Sequence, residues 1–361
     1  MTVDLSRQLE KMNLRPEAGV YRALPVVSLS CIAQGFCTNT RQISGMSYLY
    51  LGGIGNNRGF HSLVNSDYIV RKFSSKLAHQ PGWFKKTRRK AYKQCHDFTV
   101  SLIKHEGLVK TDPIRFIRFI LTDYPKLLGG IGTYNLFWRY LDLSKPGQSP
   151  FPRIDLSRLG KERDTSAKIY PHCEHLIAQA LRKVFKPYEL SILQSQMMTR
   201  SEMLQTLWQK RLTVSKDELR RRRKGYVYLW ASSREVVQTD SAVVSRVRRQ
   251  LQVQKPASRL IQGTPVSPGR VVGVVVCNLN RQSWPTRPVY VTNMTRPDDV
   301  KHFKRVKAVV TDEGGGILSH AAVITREFGI PGIVGTKLAT KIFKDGDRVE
   351  VDATKGIVRK I

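Results

Sequence analysis

Long apolar runs are missing from this chain of 361 residues. No stretch of about 18 uninterrupted apolar residues occurs, so no membrane span is expected. The opening Met1-Thr2-Val3-Asp4-Leu5-Ser6-Arg7 lacks the apolar core of a signal peptide. Cysteine is sparse: Cys31, Cys37, Cys95, Cys173 and Cys277 are scattered with no C-x-x-C pair, which suits a reducing cytoplasm. Absent too are internal repeats, extended low-complexity tracts and a G-x-x-x-x-G-K-[ST] phosphate loop. The expectation is a cytoplasmic protein, and its 41% hydrophobic content is enough for packed cores.

Acidic side chains are also short. Lys and Arg number 61 against 28 Asp and Glu, a formal charge of +33. Residues 261–361 hold 16 basic and 9 acidic side chains, which leaves 45 and 19, or +26, in residues 1–260. Runs such as Lys85-Lys86-Thr87-Arg88-Arg89-Lys90 and Arg220-Arg221-Arg222-Arg223-Lys224 attract phosphate-rich or acidic partners. Nucleic acid is a weaker reading, because no recognised nucleic-acid fold accompanies the charge. A solvated helix face accounts for such runs equally well.

Two textures divide the sequence. Residues 1–255 read as a basic, mostly helical domain that could hold a substrate or a partner. Apolar residues recur at helical spacing after Asp112-Pro113, after Pro171 and after Asp240-Ser241, each a recognisable helix start. Ser144–Pro150 reads as a loop or hinge. Residues 256–262 read as a linker. From 263 to 361 the pattern turns to short β-branched runs: Val271–Val276, Val289–Thr292, Val309–Thr311, Val349–Asp352 and Ile357–Arg359 are expected strands. Helices are expected from Pro297 to Arg305, with Thr295 as its cap, and from His320 to Phe328. The fold class is therefore α plus α/β, a helical domain followed by a compact β/α domain.

The second of these helices follows Thr311-Asp312-Glu313-Gly314-Gly315-Gly316-Ile317-Leu318-Ser319. His320 thus stands at the positive end of a helix, beside N–H groups without intrahelical partners. That end favours a phosphate, and a neutral imidazole there is a nucleophile able to take and pass on a phosphoryl group. Gly314, Gly315 and Gly316 allow close backbone approach to an anion. Ser319 can cap the helix or donate to phosphate. Thr311 stands at the strand end as a supporting residue. Arg326 does not share the histidine's face and is expected to pair with Asp312, Glu327 or a docking surface. On spacing alone His320 could equally be a simple cap.

The ordered segments Thr311–Gly315, Ser319–Pro331 and Val334–Thr336 resemble the phosphohistidine swivelling (mobile) domain of phosphoenolpyruvate-utilising enzymes. That family includes phosphoenolpyruvate synthase, pyruvate phosphate dikinase and rifampin phosphotransferase. Val266-Ser267-Pro268-Gly269, Met294-Thr295-Arg296-Pro297-Asp298 and Lys344–Gly356 resemble its opening strand, internal turn and closing hairpin. The resemblance covers roughly residues 260–361 and implies that His320 is the phosphorylated residue. It departs from the family at Thr325, where alanine is usual, at Gly332, where a larger residue is usual, and at Gly316, where several members carry a bulkier one.

Family members join this domain to an ATP-grasp domain, and many also carry a C-terminal phosphoenolpyruvate-binding barrel; neither is expected within this sequence. The resemblance then implies a phosphoryl carrier of a phosphoenolpyruvate synthase- or dikinase-like phosphotransferase. An ATP-grasp partner in trans would hold Mg²⁺ and ATP or phosphoenolpyruvate, and an unidentified acceptor would receive the phosphoryl group. No cofactor or metal is assigned to this chain itself. The alternative is a non-catalytic binding or regulatory protein that keeps the swivel fold.

Leu190–Gln250 is similar, more in order and texture than in motif, to the helical segment preceding the swivel domain in phosphoenolpyruvate synthase-like proteins. Two glycine-rich stretches, Leu51–Gly59 and Leu128–Thr133, read as loops between helices. Arg58 and His61 near the first could face a phosphorylated substrate. His172 and His175 share a helical face, but no further ligands follow at metal-site spacing.

Overall fold

The computed structural model describes residues 25–46, 48, 50–56, 59–63, 67–80, 82–143, 153–231, 234–251, 260–295, 297–312 and 319–361. The chain divides into two compact units: Met1–Tyr140 with Lys161–Leu251, and Leu141–Gly160 with Gln252–Ile361.

The first unit is mainly helical. Its expected helices form at Pro113–Leu143, Tyr170–Val184 and Ser241–Leu251. Asp112 Oδ1 accepts from Arg115 N at the first, and Asp240 Oδ1 accepts from Ala242 N and Val243 N at the third, as side-chain caps should. The helical reading misses a four-stranded antiparallel sheet of order β2-β1-β3-β4, made of β1 (Tyr50–Asn56), β2 (Gly59–Leu63), β3 (Tyr226–Ala231) and β4 (Arg234–Gln238). Within Leu190–Gln250, likened above to a helical segment, the helix Lys216–Lys224 ends and β3 begins after Gly225.

Both loop readings of the glycine-rich stretches are corrected. Tyr50–Asn56 is the strand β1, with Gly53 opposite Tyr228 and Gly55 opposite Tyr226. Those tyrosines are fully buried, so bare glycines lie opposite two bulky aromatic side chains of β3. Leu128–Thr133 lies inside the Pro113–Leu143 helix. A Cβ on Gly129 would stand 2.4 Å from Asn39 Cβ, and one on Gly130 would stand 2.5 Å from Cys95 Sγ. These glycines let neighbouring chain segments pack against the helix closely, which offsets their poor helix propensity.

The second unit is built on an eight-stranded sheet of order β5-β12-β11-β7-β8-β9-β10-β6. Its strands are β5 (Leu260–Gln262), β6 (Thr264–Ser267), β7 (Arg270–Val276), β8 (Pro288–Thr292), β9 (Ala308–Thr311), β10 (Gly332–Val334), β11 (Arg348–Asp352) and β12 (Ile357–Lys360). Strands β7 to β10 run parallel, and the flanking pairs are antiparallel. Alternation along β8 and β9 sorts the core. Val289, Val291, Ala308 and Val310 enter one cluster with Phe343 and Val351. Tyr290 and Val309 enter another with Phe303 and Ile324. Apolar groups on both faces are what a buried parallel sheet requires.

The segment read as helix from Pro297 to Arg305 is a short 3₁₀ turn, Pro297–His302. Leu260–Gln262, read as the end of a linker, pairs with β12. Residues 256–259 and the loop at 144–150 lie outside the described residues.

Candidate functional site

Parallel pairing of β8 with β9 creates the site. Thr292 lies opposite Thr311 at the two carboxyl ends, so the segments leaving these strands run side by side. One carries Thr295 and the other leads to His320. In open α/β sheets the crevice beyond the strands' carboxyl ends is where ligands bind.

His320 opens the helix His320–Glu327, and Ser319 is its N-cap, its Oγ accepting from Ala322 N at 3.2 Å. The buried face of this helix is Ala321, Ala322, Ile324 and Thr325. Ala321 and Ala322 pack with Val266 and Val334, and Ile324 packs with Phe303 and Val309. Gly329, at φ 62°, ends the helix, and Ile330 N donates back to Thr325 O at 2.9 Å, the left-handed glycine stop expected there. Packing on one side and a cap at the start thus fix the backbone that carries His320.

The imidazole is half-buried. Its Nδ1 lies 2.8 Å from Thr295 Oγ1, and Thr295 is itself buried. This contact engages Nδ1 of the ring. Sequence reasoning made Thr295 a helix cap. Its hydroxyl instead engages the histidine, a pairing that comes from the parallel neighbours β8 and β9 and not from spacing along the chain.

Asp312 anchors the start of the segment that leads to His320. Its carboxylate accepts from Thr336 Oγ1 at 2.8 Å, from Thr340 N at 3.2 Å and from Thr340 Oγ1. Asp312 therefore does not pair with Arg326, whose Nη1 donates to Val266 O at 3.3 Å. Partial desolvation holds the Arg326 guanidinium below its ordinary value. Thr311 is buried at the end of β9, and its carbonyl accepts from Thr336 N and Thr336 Oγ1 at 3.0 and 2.9 Å.

Gly314, Gly315, Gly316 and Arg58 lie outside the described residues. The backbone of His61 pairs with Ile54 in β2, and its side chain lies outside the description. His172 and His175 do not share a ligand: Nε2 of the first meets Glu106 and Nε2 of the second meets Gln179, both at 2.8 Å. Among the described residues no group of His, Cys, Asp and Glu is placed to hold a metal.

Residues 285–356 match the PEP-utilising enzyme, mobile domain family. The C-terminal region is a PEP-utilising mobile domain. This chain is 47% identical over 107 residues to a probable phosphoenolpyruvate synthase of Pyrococcus horikoshii, covering 29% of this chain and 13% of that protein. It is 46% identical over 103 residues to the phosphoenolpyruvate synthase of Aeropyrum pernix, covering 27% and 12%. It is 40% identical over 105 residues to the rifampicin phosphotransferase of Bacillus cereus, covering 28% and 12%. The mobile domain thus accounts for about an eighth of the length of these relatives, and both Thr295 and His320 fall inside the matched 285–356.

Proposed function

We propose that His320 is a phosphoryl carrier within a phosphotransferase of the phosphoenolpyruvate synthase or dikinase kind. The observation that carries this reading is the 2.8 Å contact between Thr295 Oγ1 and His320 Nδ1. With the proton on Nδ1 donated to Thr295, Nε2 holds the lone pair. That lone pair attacks the phosphorus, an N–P bond forms, and the P–O bond to the leaving group breaks with its electron pair departing on oxygen. Thr295 holds the tautomer throughout, so no proton has to leave the ring nitrogen that reacts. The helix N-terminus favours the added negative charge.

The donor, ATP or phosphoenolpyruvate with Mg²⁺, would be held by an ATP-grasp protein or domain. Positioning and charge neutralisation at that site are the usual means of phosphoryl transfer. A second site would then take the phosphoryl group from His320. The test is incubation with radiolabelled ATP or phosphoenolpyruvate, with and without an ATP-grasp protein, beside His320→Ala. Acid-labile, base-stable label lost in His320→Ala is the expected result. Label that persists in His320→Ala, or none under any condition, would overturn the carrier reading.

A further inference from the structure

The formal charge of +33, of which +26 falls in residues 1–260, has no part in the role proposed for His320. Some of that excess collects, unpaired, at one end of the first unit's helices, where three segments meet. Lys183 Nζ donates to Val109 O at 3.2 Å, Arg118 Nη2 to Leu207 O at 3.3 Å, and Tyr188 OH to Thr206 O at 3.5 Å. These bonds join residues 107–118, 183–189 and 206–211. Together the segments carry Lys110, Arg115, Arg118, Lys183, Lys186, Lys210 and Arg211, all exposed. Their acids are Asp112 and Glu189; the first accepts from Arg115 N as a helix cap, and the second meets Lys216.

Helix carboxyl ends attract cations, and that of Arg200–Gln209 lies here, which accounts for Arg118 at Leu207 O. It does not account for Arg115, which stands in the first turn of Pro113–Leu143, where a cation opposes the dipole. Among the described residues no ion pair holds Lys110, Arg115, Lys186, Lys210 or Arg211. Beside Lys210 and Arg211, Trp208 is 79% exposed, more than any other large apolar side chain among the described residues.

These features select among anionic partners. Binding of a nucleic-acid single strand combines cations that follow the backbone with aromatic rings on which bases stack. It requires no groove-reading helix, and residues 208–211 supply both elements side by side. An acidic protein would need an apolar centre to bury, and the large apolar side chains exposed on these segments are Trp208 and Ile114 alone. A bilayer selects a continuous apolar stripe along a helix, which these two do not form.

We infer that this end of the first unit binds single-stranded nucleic acid, with a base stacked on Trp208 and phosphates held by Lys110, Arg115, Lys186, Lys210 and Arg211. The inference goes beyond the role of His320 and does not depend on it.

The test titrates the full chain into fluorescein-labelled oligouridine and oligothymidine and follows anisotropy across a range of salt. Saturable binding is expected, with log affinity falling linearly in log salt. Lys110→Gln with Arg115→Gln and Lys210→Gln should flatten that slope by about 2 and weaken binding at least roughly tenfold. Trp208→Ala should weaken it at least roughly fivefold, and Trp208→Phe should restore most of the loss, as stacking on an aromatic face requires. Lys85→Gln with Lys86→Gln and Arg89→Gln removes equal charge from exposed positions near the start of the helix Trp83–His105, and should leave the slope nearly unchanged. His320→Ala should bind as wild type, which separates this inference from the carrier role. The inference is overturned if the second triple variant weakens binding as much as the first, or if Trp208→Ala binds as wild type. It is equally overturned if polyglutamate, duplex DNA or phosphatidylglycerol vesicles bind more tightly than either single strand.

Discussion

Thr325 and Gly332 fit each other: a Cβ on Gly332 would stand 2.7 Å from Thr325 Oγ1 and 2.9 Å from its Cβ and Cγ2. Thr325 is fully buried, and its hydroxyl donates to Ala321 O at 2.8 Å. The two departures from the family pattern are therefore one departure in space, a larger side chain on the helix that carries His320 and a smaller one on β10. Gly332→Ala is expected to destabilise the second unit by about 1–3 kcal/mol through overpacking. Adding Thr325→Ala should recover most of that loss. Urea unfolding of the two single variants and the double variant measures the coupling, and purely additive effects would contradict the fit.

Thr295 Oγ1 meets Nδ1 of His320. Thr295→Val keeps the volume and removes the hydroxyl, so phosphorylation of His320 is expected to slow by roughly 10-fold or more, the scale of a lost orienting partner. Thr295→Ser should retain the wild-type rate. Equal rates for threonine, serine and valine at this position would show that the contact is incidental.

Glu350 is expected to contribute to the acid sensitivity of the second unit. It is buried on β11 between Arg359 and Arg270, and these guanidinium groups hold its carboxyl below the ordinary glutamate value. A depressed folded pKa contributes stability above the unfolded value, near 4.3, and that contribution is lost as pH falls through the folded value. Glu350→Gln should therefore lower stability at neutral pH, with the difference from wild type shrinking as pH falls below about 4. Denaturant midpoints across that range would check the sign. A difference that does not change with pH would count against the ion pairs.

Arg222 behaves unlike its neighbours in the arginine run. It is 5% exposed and bonds Glu202, Glu218 and Met197 O, whereas Arg220 and Arg221 pair with Asp217 and Glu218 at the surface. Arg222→Ala should cost about 1–3 kcal/mol, because it takes the donor from the half-buried Glu202 carboxylate and from Met197 O. Arg220→Ala should cost less than about 1 kcal/mol. Comparable losses at the two positions would contradict this division.

Local signals were readable where local physics decides the outcome. The Asp112, Asp240 and Ser319 caps and the Gly329 stop follow from short-range hydrogen bonding and backbone conformation, and the helices at Pro113, Ser241 and His320 start at those caps. Strand β1 was hidden because glycine carries no strand preference; Gly53 and Gly55 make sense only opposite Tyr228 and Tyr226 of β3, more than 170 residues away. The basic run at 220–224 is not uniform in space, because Arg222 pairs with Glu202, outside the run. His320 was legible from its helix start, but its partner Thr295 was not. That pairing arises from the parallel neighbours β8 and β9, a relationship that spacing along the chain does not carry.

The most direct test of the account is to locate phosphorus on the histidine ring. The protein would be labelled with ¹⁵N-histidine, incubated with phosphoryl donor and ATP-grasp protein, and examined by long-range ¹H–¹⁵N NMR. The account predicts phosphorus on Nε2 of His320, with Nδ1 still protonated and bonded to Thr295. Phosphorus on Nδ1, on another residue, or on no residue of this chain would contradict it.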